Sequence, residues 1–111
     1  MSERDIIHID KIKDELCFIQ ASLMHKNKEA FLQDKIIQHA VMMSLVIIGE
    51  CAHHLSEVFK ESYPKIEWVK IVAVRNIAAH GYWQINMEQI WQAIETDVPQ
   101  LVDFFQNVTG E

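Results

Sequence analysis

Glycine and proline are scarce in this chain, with three Gly and two Pro among 111 residues. Folds built from many short strands need frequent turns, and these two residue types are common turn formers, so such folds are disfavoured. Half of the residues are hydrophobic, and they recur at spacings of three and four, the period of a helix with one apolar face. We therefore predict an all-α fold, an antiparallel bundle of four to five helices, in a single domain covering residues 1–111.

Cysteine and long apolar runs are also limited. Cys17 and Cys51 lie far apart without a CxxC spacing, and with no signal peptide in the sequence we expect free thiols and a cytoplasmic protein. The longest apolar run, residues 40–48, is far shorter than the roughly 20 residues that span a bilayer, so no membrane contact is expected. His39, His53 and His54 show no ligand spacing, so we expect neither a metal nor a cofactor.

Basic residues are absent from residues 84–111, which carry five acidic side chains. The formal net charge of -6 argues against a non-specific nucleic-acid coat protein. Residues 60–83 form the only net-positive segment, with four basic and two acidic side chains. A phosphate-bearing ligand could use that local field, although a mixed solvated helix surface explains the charges equally well.

The apolar pattern predicts four long helical segments, and residues within them carry further expectations. The segments are about 3–25, from 29 or 34 to near 60, 66–81, and from 86 onward. The second is apolar on nearly every side, which predicts burial in the bundle plus a contact with a second copy. Glu50 is expected to be half-buried and paired with an unidentified basic group. Gly81 is expected to end the third helix in a left-handed conformation, and Pro99 to kink or split the fourth.

Polar chemistry is concentrated at the end of the third segment, in Arg75, Asn76, His80 and Tyr82. Asn76 and His80 are four residues apart and share a helix face, whereas Arg75 diverges from His80 by about 140°. This density of functional groups predicts a site. A purely structural role stays open, because a single His near a helix C-terminus commonly serves only the helix dipole.

The residue types in this cluster suit RNA cleavage. RNA carries its own nucleophile, the 2′-hydroxyl, so an enzyme needs to move protons and stabilise negative charge on phosphorus. His80 can transfer protons near neutral pH, Arg75 offers a charged fork to phosphate oxygens, and Asn76 can donate a hydrogen bond. The cluster has no carboxylate pair for a divalent metal. It therefore predicts a metal-independent ribonuclease.

The order Arg75-Asn76-x3-His80-x-Tyr82 resembles the R-x4-H motif of the HEPN superfamily, and the HepT-like ribonuclease toxins in particular. The similarity covers about residues 30–105. The other matching positions are Ile48-Gly49-Glu50, Pro64-x-Ile66-x-Trp68, Trp91 and Asp97-x-Pro99.

This resemblance implies a HEPN-like helical bundle that forms a homodimer, with two motif copies along one cleft. It implies an RNA endonuclease, the toxin of a type VII-like toxin–antitoxin pair, with Arg75 and His80 as catalytic residues and Asn76 binding substrate. It also implies a minimal nucleotidyltransferase antitoxin as partner, which inactivates the toxin by transferring AMP to Tyr82.

Two other interpretations of the sequence stay open. The chain could be a non-catalytic nucleotide- or partner-binding subunit of a nucleotidyltransferase complex, which the net acidity and the lack of an extended basic groove would suit. It could also be a purely structural helical dimer, in which substitution of Arg75 and His80 would be silent.

Overall fold

The computed structural model describes residues 1–81 and 84–108, with the side chains of all of these except residues 77–80. Every regular element in this part of the chain is a helix, which confirms the all-α prediction. The six helices are α1 (Glu3–Ser22), α2 (Lys28–Leu32), α3 (Lys35–His54), α4 (Glu57–Ser62), α5 (Trp68–Gly81) and α6 (Met87–Asn107). Four of them are long, and α2 and α4 are short.

Helix α1 begins where the sequence predicts. The Ser2 side chain accepts a hydrogen bond from the backbone N–H of Asp5 at 3.1 Å, which satisfies one of the free N–H groups of the first turn. Five apolar residues recur along this segment at spacings of three and four, which predicts one buried face. The prediction is confirmed, because four of the five are buried: Ile9, Ile12, Leu16 and Ile19. Leu23, the fifth, packs partly buried at the edge of the same core.

The second predicted helix is α3, and the later of its two predicted starts is confirmed, because Asp34 caps it. Its predicted end near residue 60 is wrong, because α3 ends at His54 and α4 follows as a separate helix, while α2 precedes it. Each of the three starts at its own capping side chain. Asn27 accepts from Ala30 N–H, Asp34 from Ile37 N–H, and Ser56 from Phe59 N–H. Side chains of this kind satisfy the N–H groups of a new helix and favour extended backbone at the cap itself.

Helix α3 lies between α1 and α5 and is the central helix of the bundle. In the single chain its burial is partial, because Ile36 is 83% exposed and Met43 is 60% exposed, whereas Val41 and Met42 are buried. The predicted contact of this helix with a second copy stays a prediction. By length and hydropathy alone α3 could cross a membrane, a property that a core helix shares. An apolar stripe on its outer side is thus left uncovered in the single chain.

Helix α5 packs mainly against α3, and none of its described side chains is fully buried. The apolar pattern of this segment predicts that Val69 faces the bundle, but the side chain is 84% exposed, so that prediction is wrong. The predicted left-handed end at Gly81 is also wrong, since no described glycine has a positive φ. Gly81 is simply the last residue of α5.

Helix α6 begins at Asn86, as the sequence predicts, with the Asn86 side chain accepting from the N–H groups of Glu88 and Gln89. Its buried side chains are Trp91, Ile94, Val98 and Phe105. Pro99 lies inside this continuous helix, so the predicted split is wrong. Packing on both sides of Pro99 offsets the hydrogen bond that a proline nitrogen cannot make.

Aromatic rings join the start of α5 to the end of α6. Trp68 lies edge-on to Phe104 and Phe105, with ring centroids 6.1 and 6.2 Å apart. Its indole N–H donates to the Tyr63 carbonyl oxygen at 3.2 Å. These contacts fix where α5 starts, and α3 then determines the direction in which it runs toward its polar C-terminal end.

A buried carboxylate ties the first turn of α1 to α4. Asp5 is only 2% exposed, and its two oxygens accept from the backbone N–H and the hydroxyl of Ser56 at 2.8 and 2.7 Å. Burial raises the pKa of the Asp5 carboxyl, but the hydrogen bonds from Ser56, with a smaller one from Ser2, outweigh it and bring the pKa below the ordinary 3.8.

This carboxylate predicts a specific acid sensitivity. Because the pKa of Asp5 is lower in the folded than in the unfolded chain, its stabilisation is present above the ordinary value and is lost as the pH falls through the folded value. We expect Asp5→Asn to unfold about 1 kcal/mol more easily at neutral pH and to lose less stability than wild type below about pH 4. Urea unfolding across this range measures both effects. Asp14→Asn, an exposed change on the same helix, should track wild type, and parallel curves for wild type and Asp5→Asn would contradict the prediction.

Candidate functional site

A glycine brings α3 and α5 unusually close together where the polar cluster begins. A Cβ atom built on Gly49 would lie 2.9 Å from the backbone oxygen of Ile71 and 3.3 Å from the Cβ of Arg75. The first distance is shorter than real Cβ contacts allow, so only glycine fits here without displacing α5. A glycine inside a helix costs stability and usually permits close packing, and the structure identifies α5 as the helix that approaches Gly49.

The close approach pairs Glu50 with Arg75. Arg75 Nη1 donates to Glu50 Oε2 at 2.7 Å, a short charge-assisted bond, and Arg75 Nη2 donates to Asn76 Oδ1 at 3.4 Å. The side chains of Glu50 and Arg75 are 48% and 27% exposed. The basic partner of Glu50, which the sequence could not identify, is therefore Arg75, and the guanidinium is held on two sides while its other N–H groups stay available.

The charge state of Glu50 follows from its neighbours. Hydrogen bonds from Arg75 and, to a smaller extent, His54 lower the pKa of the Glu50 carboxyl below its ordinary value. Glu50 is therefore ionised throughout the physiological pH range, and the Arg75 pair is a true ion pair there.

His54 is a member of this network that the sequence interpretation missed. His54 Nε2 lies 3.0 Å from Glu50 Oε1, and Arg4 Nη2 lies 3.4 Å from His54 Nδ1. The ring of His8 is 5.5 Å from the ring of His54. The sequence does contain one indication of this contact: Glu50 and His54 are four residues apart, which places both on one helix face.

The remaining predicted site residues are only partly described. Asn76 is exposed and lies beside Arg75 on α5. His80 is in the last turn of α5, but its side chain lies outside the described residues, and so does all of Tyr82. The structure thus brings Arg75 and Asn76 together and adds Glu50 and His54 to them. The roles predicted for the four motif residues stay predictions.

A model of the HepT-like ribonuclease family matches residues 9–108, which is nearly the whole chain. The chain belongs to the HepT-like ribonuclease family. The family match includes all of α2 to α6 and most of α1, and so covers Gly49, Glu50 and the α5 cluster. The resemblance inferred from the R-x4-H motif is confirmed.

Individual HepT-like relatives agree with this assignment. "Probable ribonuclease HepT" of Thermococcus cleftensis is 30% identical over 90% of this chain and 82% of its own length. A protein named "Putative RNase" from Caldanaerobacter subterraneus subsp. tengcongensis is 30% identical over 85% of this chain and 84% of its own. Another "Putative RNase", from Methanocaldococcus jannaschii, is 35% identical over 64% of this chain and 65% of its own length, so about a third of that relative lies outside the match. No solved structure matches the chain.

Two other features bear on what the HepT-like site can bind. Within residues 1–81 and 84–108, no three His, Cys, Asp or Glu side chains are arranged to hold a metal ion. A cavity of about 210 Å³ lies between α5 and α6 over the apolar side chains of Leu16, Leu45 and Ile48, and its lining includes neither Glu50 nor Arg75. This cavity is therefore separate from the polar cluster.

The described geometry defines what the site can do. A guanidinium whose orientation is fixed by a carboxylate and an amide can present its other N–H groups to a phosphate without first ordering a flexible side chain. The cost is that Glu50 offsets part of the positive charge of Arg75. An anion at this position would be held by directed hydrogen bonds more than by net charge.

Proposed function

We propose that the chain is a metal-independent RNA endonuclease that uses Arg75 and His80. The observation that carries this proposal is the pairing of Arg75 with Glu50, which orients the motif arginine within a chain of the HepT-like ribonuclease family. A fixed orientation of Arg75 favours a reaction in which negative charge develops at one position, as it does on the phosphate of an RNA strand during cleavage.

In the proposed reaction the RNA 2′-oxygen attacks the adjacent phosphorus and the bond to the 5′-oxygen breaks. The 2′-hydroxyl loses its proton, and the departing 5′-oxygen gains one. His80 transfers protons, and Arg75 stabilises the additional negative charge on the phosphate oxygens. Asn76, exposed beside Arg75, donates a hydrogen bond to the substrate through its amide nitrogen.

We propose that the active form is a homodimer. Ile36 and Met43 on α3 and Val69 on α5 are all more than half exposed. Large apolar side chains on two neighbouring helices favour an interface with another chain. A second copy covering them would place another motif near the first, so one His80 could accept a proton while the other donates one.

We propose that this ribonuclease is the cytoplasmic toxin of a toxin–antitoxin pair, controlled at Tyr82. A minimal nucleotidyltransferase antitoxin would transfer AMP to the Tyr82 hydroxyl. The added nucleotide brings bulk and negative charge two residues after His80. It would block the phosphate site and repel RNA.

Expression of the chain alone tests the proposal. We expect wild type to arrest growth and cleave cellular RNA, whereas His80→Ala at equal soluble expression does neither. Co-expression of an active nucleotidyltransferase partner should restore growth and add the mass of AMP to the peptide containing Tyr82.

Normal growth and intact RNA with both proteins, together with retained binding of nucleotide or partner, would contradict the proposal. That result would favour a non-catalytic binding subunit. Identical arrest by wild type and His80→Ala would separate toxicity from the proposed site.

A further inference from the structure

The Glu50 carboxylate is bonded at both of its oxygens by different residues. Arg75 donates to Oε2 at 2.7 Å, and the imidazole of His54 lies 3.0 Å from Oε1. Glu50 is about half exposed, so packing alone does not fix its side chain. The two hydrogen bonds together select one rotamer, and loss of either leaves an oxygen free to turn toward water.

The neighbours of His54 determine which of its nitrogens carries the proton. A guanidinium has no acceptor atom, so the contact between Arg4 Nη2 and His54 Nδ1 at 3.4 Å requires an unprotonated Nδ1. An ionised carboxylate has no donor, so the contact with Glu50 requires the proton on Nε2. Both neighbours therefore require the same neutral tautomer, with Nε2–H directed at Glu50.

Helix α1 supports this arrangement from the other side of His54. Arg4 is on the first turn of α1, and one turn later His8 Nδ1 donates to the Arg4 carbonyl oxygen at 2.8 Å. The His8 ring then lies 5.5 Å from the His54 ring, tilted by 32°. The His54 imidazole is thereby held between α1 and Glu50.

We propose that His54 is a positioning residue, which holds Glu50 in the rotamer that orients the Arg75 guanidinium toward the reacting phosphate. The resulting relay runs from Arg4 through His54 and Glu50 to Arg75, and so connects the start of α1 to the site on α5. This inference rests on the proposed ribonuclease function. It identifies His54, which lies outside the R-x4-H motif, as a further residue on which the rate of RNA cleavage depends.

The kinetic test compares His54→Leu, which has no donor, with His54→Gln, whose amide can still donate to Glu50. We expect His54→Leu to lower kcat about 10-fold with KM changed less than about twofold, since an imprecise Arg75 costs transition-state stabilisation more than binding. His54→Gln should recover most of kcat. His53→Leu removes the ring contact of His53 with His54 but keeps the His54 donor, so it should lower kcat much less than His54→Leu does.

Either of two kinetic results would overturn the inference. One is wild-type kcat in His54→Leu. The other is equal loss in His54→Leu and His54→Gln, which would mean that the imidazole acts through its shape and not through its donor.

Nuclear magnetic resonance supplies a readout that does not depend on activity. At about pH 8, where a typical imidazole is neutral, the ¹⁵N spectrum should show His54 with its proton on Nε2 and His8 with its proton on Nδ1. In His54→Leu the pKa of the Glu50 carboxyl should rise toward its ordinary value, because one of the bonds that lower it is gone.

A proton on Nδ1 of His54, or an unchanged Glu50 titration in His54→Leu, would refute the relay even in an active enzyme. If wild type cleaves no RNA, the proposed function fails, and these two spectroscopic results alone decide whether the relay exists.

Discussion

Arg75→Ala is expected to lower the rate of RNA cleavage by about 100- to 1,000-fold, the usual effect of removing a donor that stabilises transition-state charge. In the proposed mechanism, the variant loses the group that faces the phosphate and leaves Glu50 as an unneutralised negative charge beside the substrate. Both changes act in the same direction. The initial rate of cleavage of a defined RNA by the purified protein measures the loss.

Two control variants make this result specific. Arg75→Lys keeps the charge but cannot donate to Glu50 and to phosphate in the same planar arrangement, so we expect it to recover only a small part of the rate. Lys70→Ala removes an exposed cation from the same helix, one paired with Glu67 at 2.9 Å, and should cleave like wild type. If Lys70→Ala lowers the rate as much as Arg75→Ala, the effect is one of general charge and the assigned role of Arg75 is wrong.

The fold should survive the loss of Arg75. Its ion pair with Glu50 is partly exposed, and such pairs contribute little to stability because water screens them. Thermal unfolding of Arg75→Ala should therefore stay within a few degrees of wild type. A large drop would mean that the lost cleavage reports unfolding.

The second large effect is expected from Gly49→Ala. Replacing a helical glycine with alanine normally stabilises a helix by about 1 kcal/mol. Here the new Cβ would meet the Ile71 carbonyl oxygen at 2.9 Å, a rigid backbone atom, so α5 must move away from α3. Overpacking of this kind costs about 1–3 kcal/mol. Because the clash is with a rigid atom, we expect the cost to exceed the gain, with a net loss of up to about 2 kcal/mol and a melting temperature lower by several degrees.

Gly81→Ala is the matched control for Gly49→Ala. Among the described residues, a Cβ at Gly81 would meet the Gln84 Oε1 atom, at an ordinary 3.7 Å. Its melting temperature should equal or exceed that of wild type. Cleavage by Gly49→Ala should also fall, since a displaced α5 separates Arg75 from Glu50. Equal melting temperatures for the two variants would contradict the close approach of α3 and α5.

The fold was predictable wherever the hydrophobic pattern had one clear face. The buried face of α1 was predicted correctly, because polar residues on its other faces leave one apolar side. The start of α6 was predicted correctly because Asn86 is a residue type that caps helices. In α3 the residues are apolar nearly all round, so periodicity could not tell the exposed Ile36 and Met43 from the buried Val41. The breaks before α3 and α4 depend on single capping side chains.

The site was predictable to the extent that it lies in one short stretch of sequence. Arg75 and Asn76 are adjacent, so their proximity needed no tertiary information. The pairing of Glu50 with Arg75 spans 25 residues and depends on how closely Gly49 lets α5 approach. Arg4 and His54 are 50 residues apart and meet only because α1 packs against α3.

Helix α5 is seated mainly on one neighbour and buries none of its described side chains completely. A helix held from one side opens at a lower free energy than helices buried on several sides. The Glu50–Arg75 pair therefore exists in the fraction of molecules whose α5 is docked against α3 at Gly49. A chain that binds the outer side of α5 only when α5 is docked increases that fraction by mass action, so the proposed activity should rise with the concentration of such a partner.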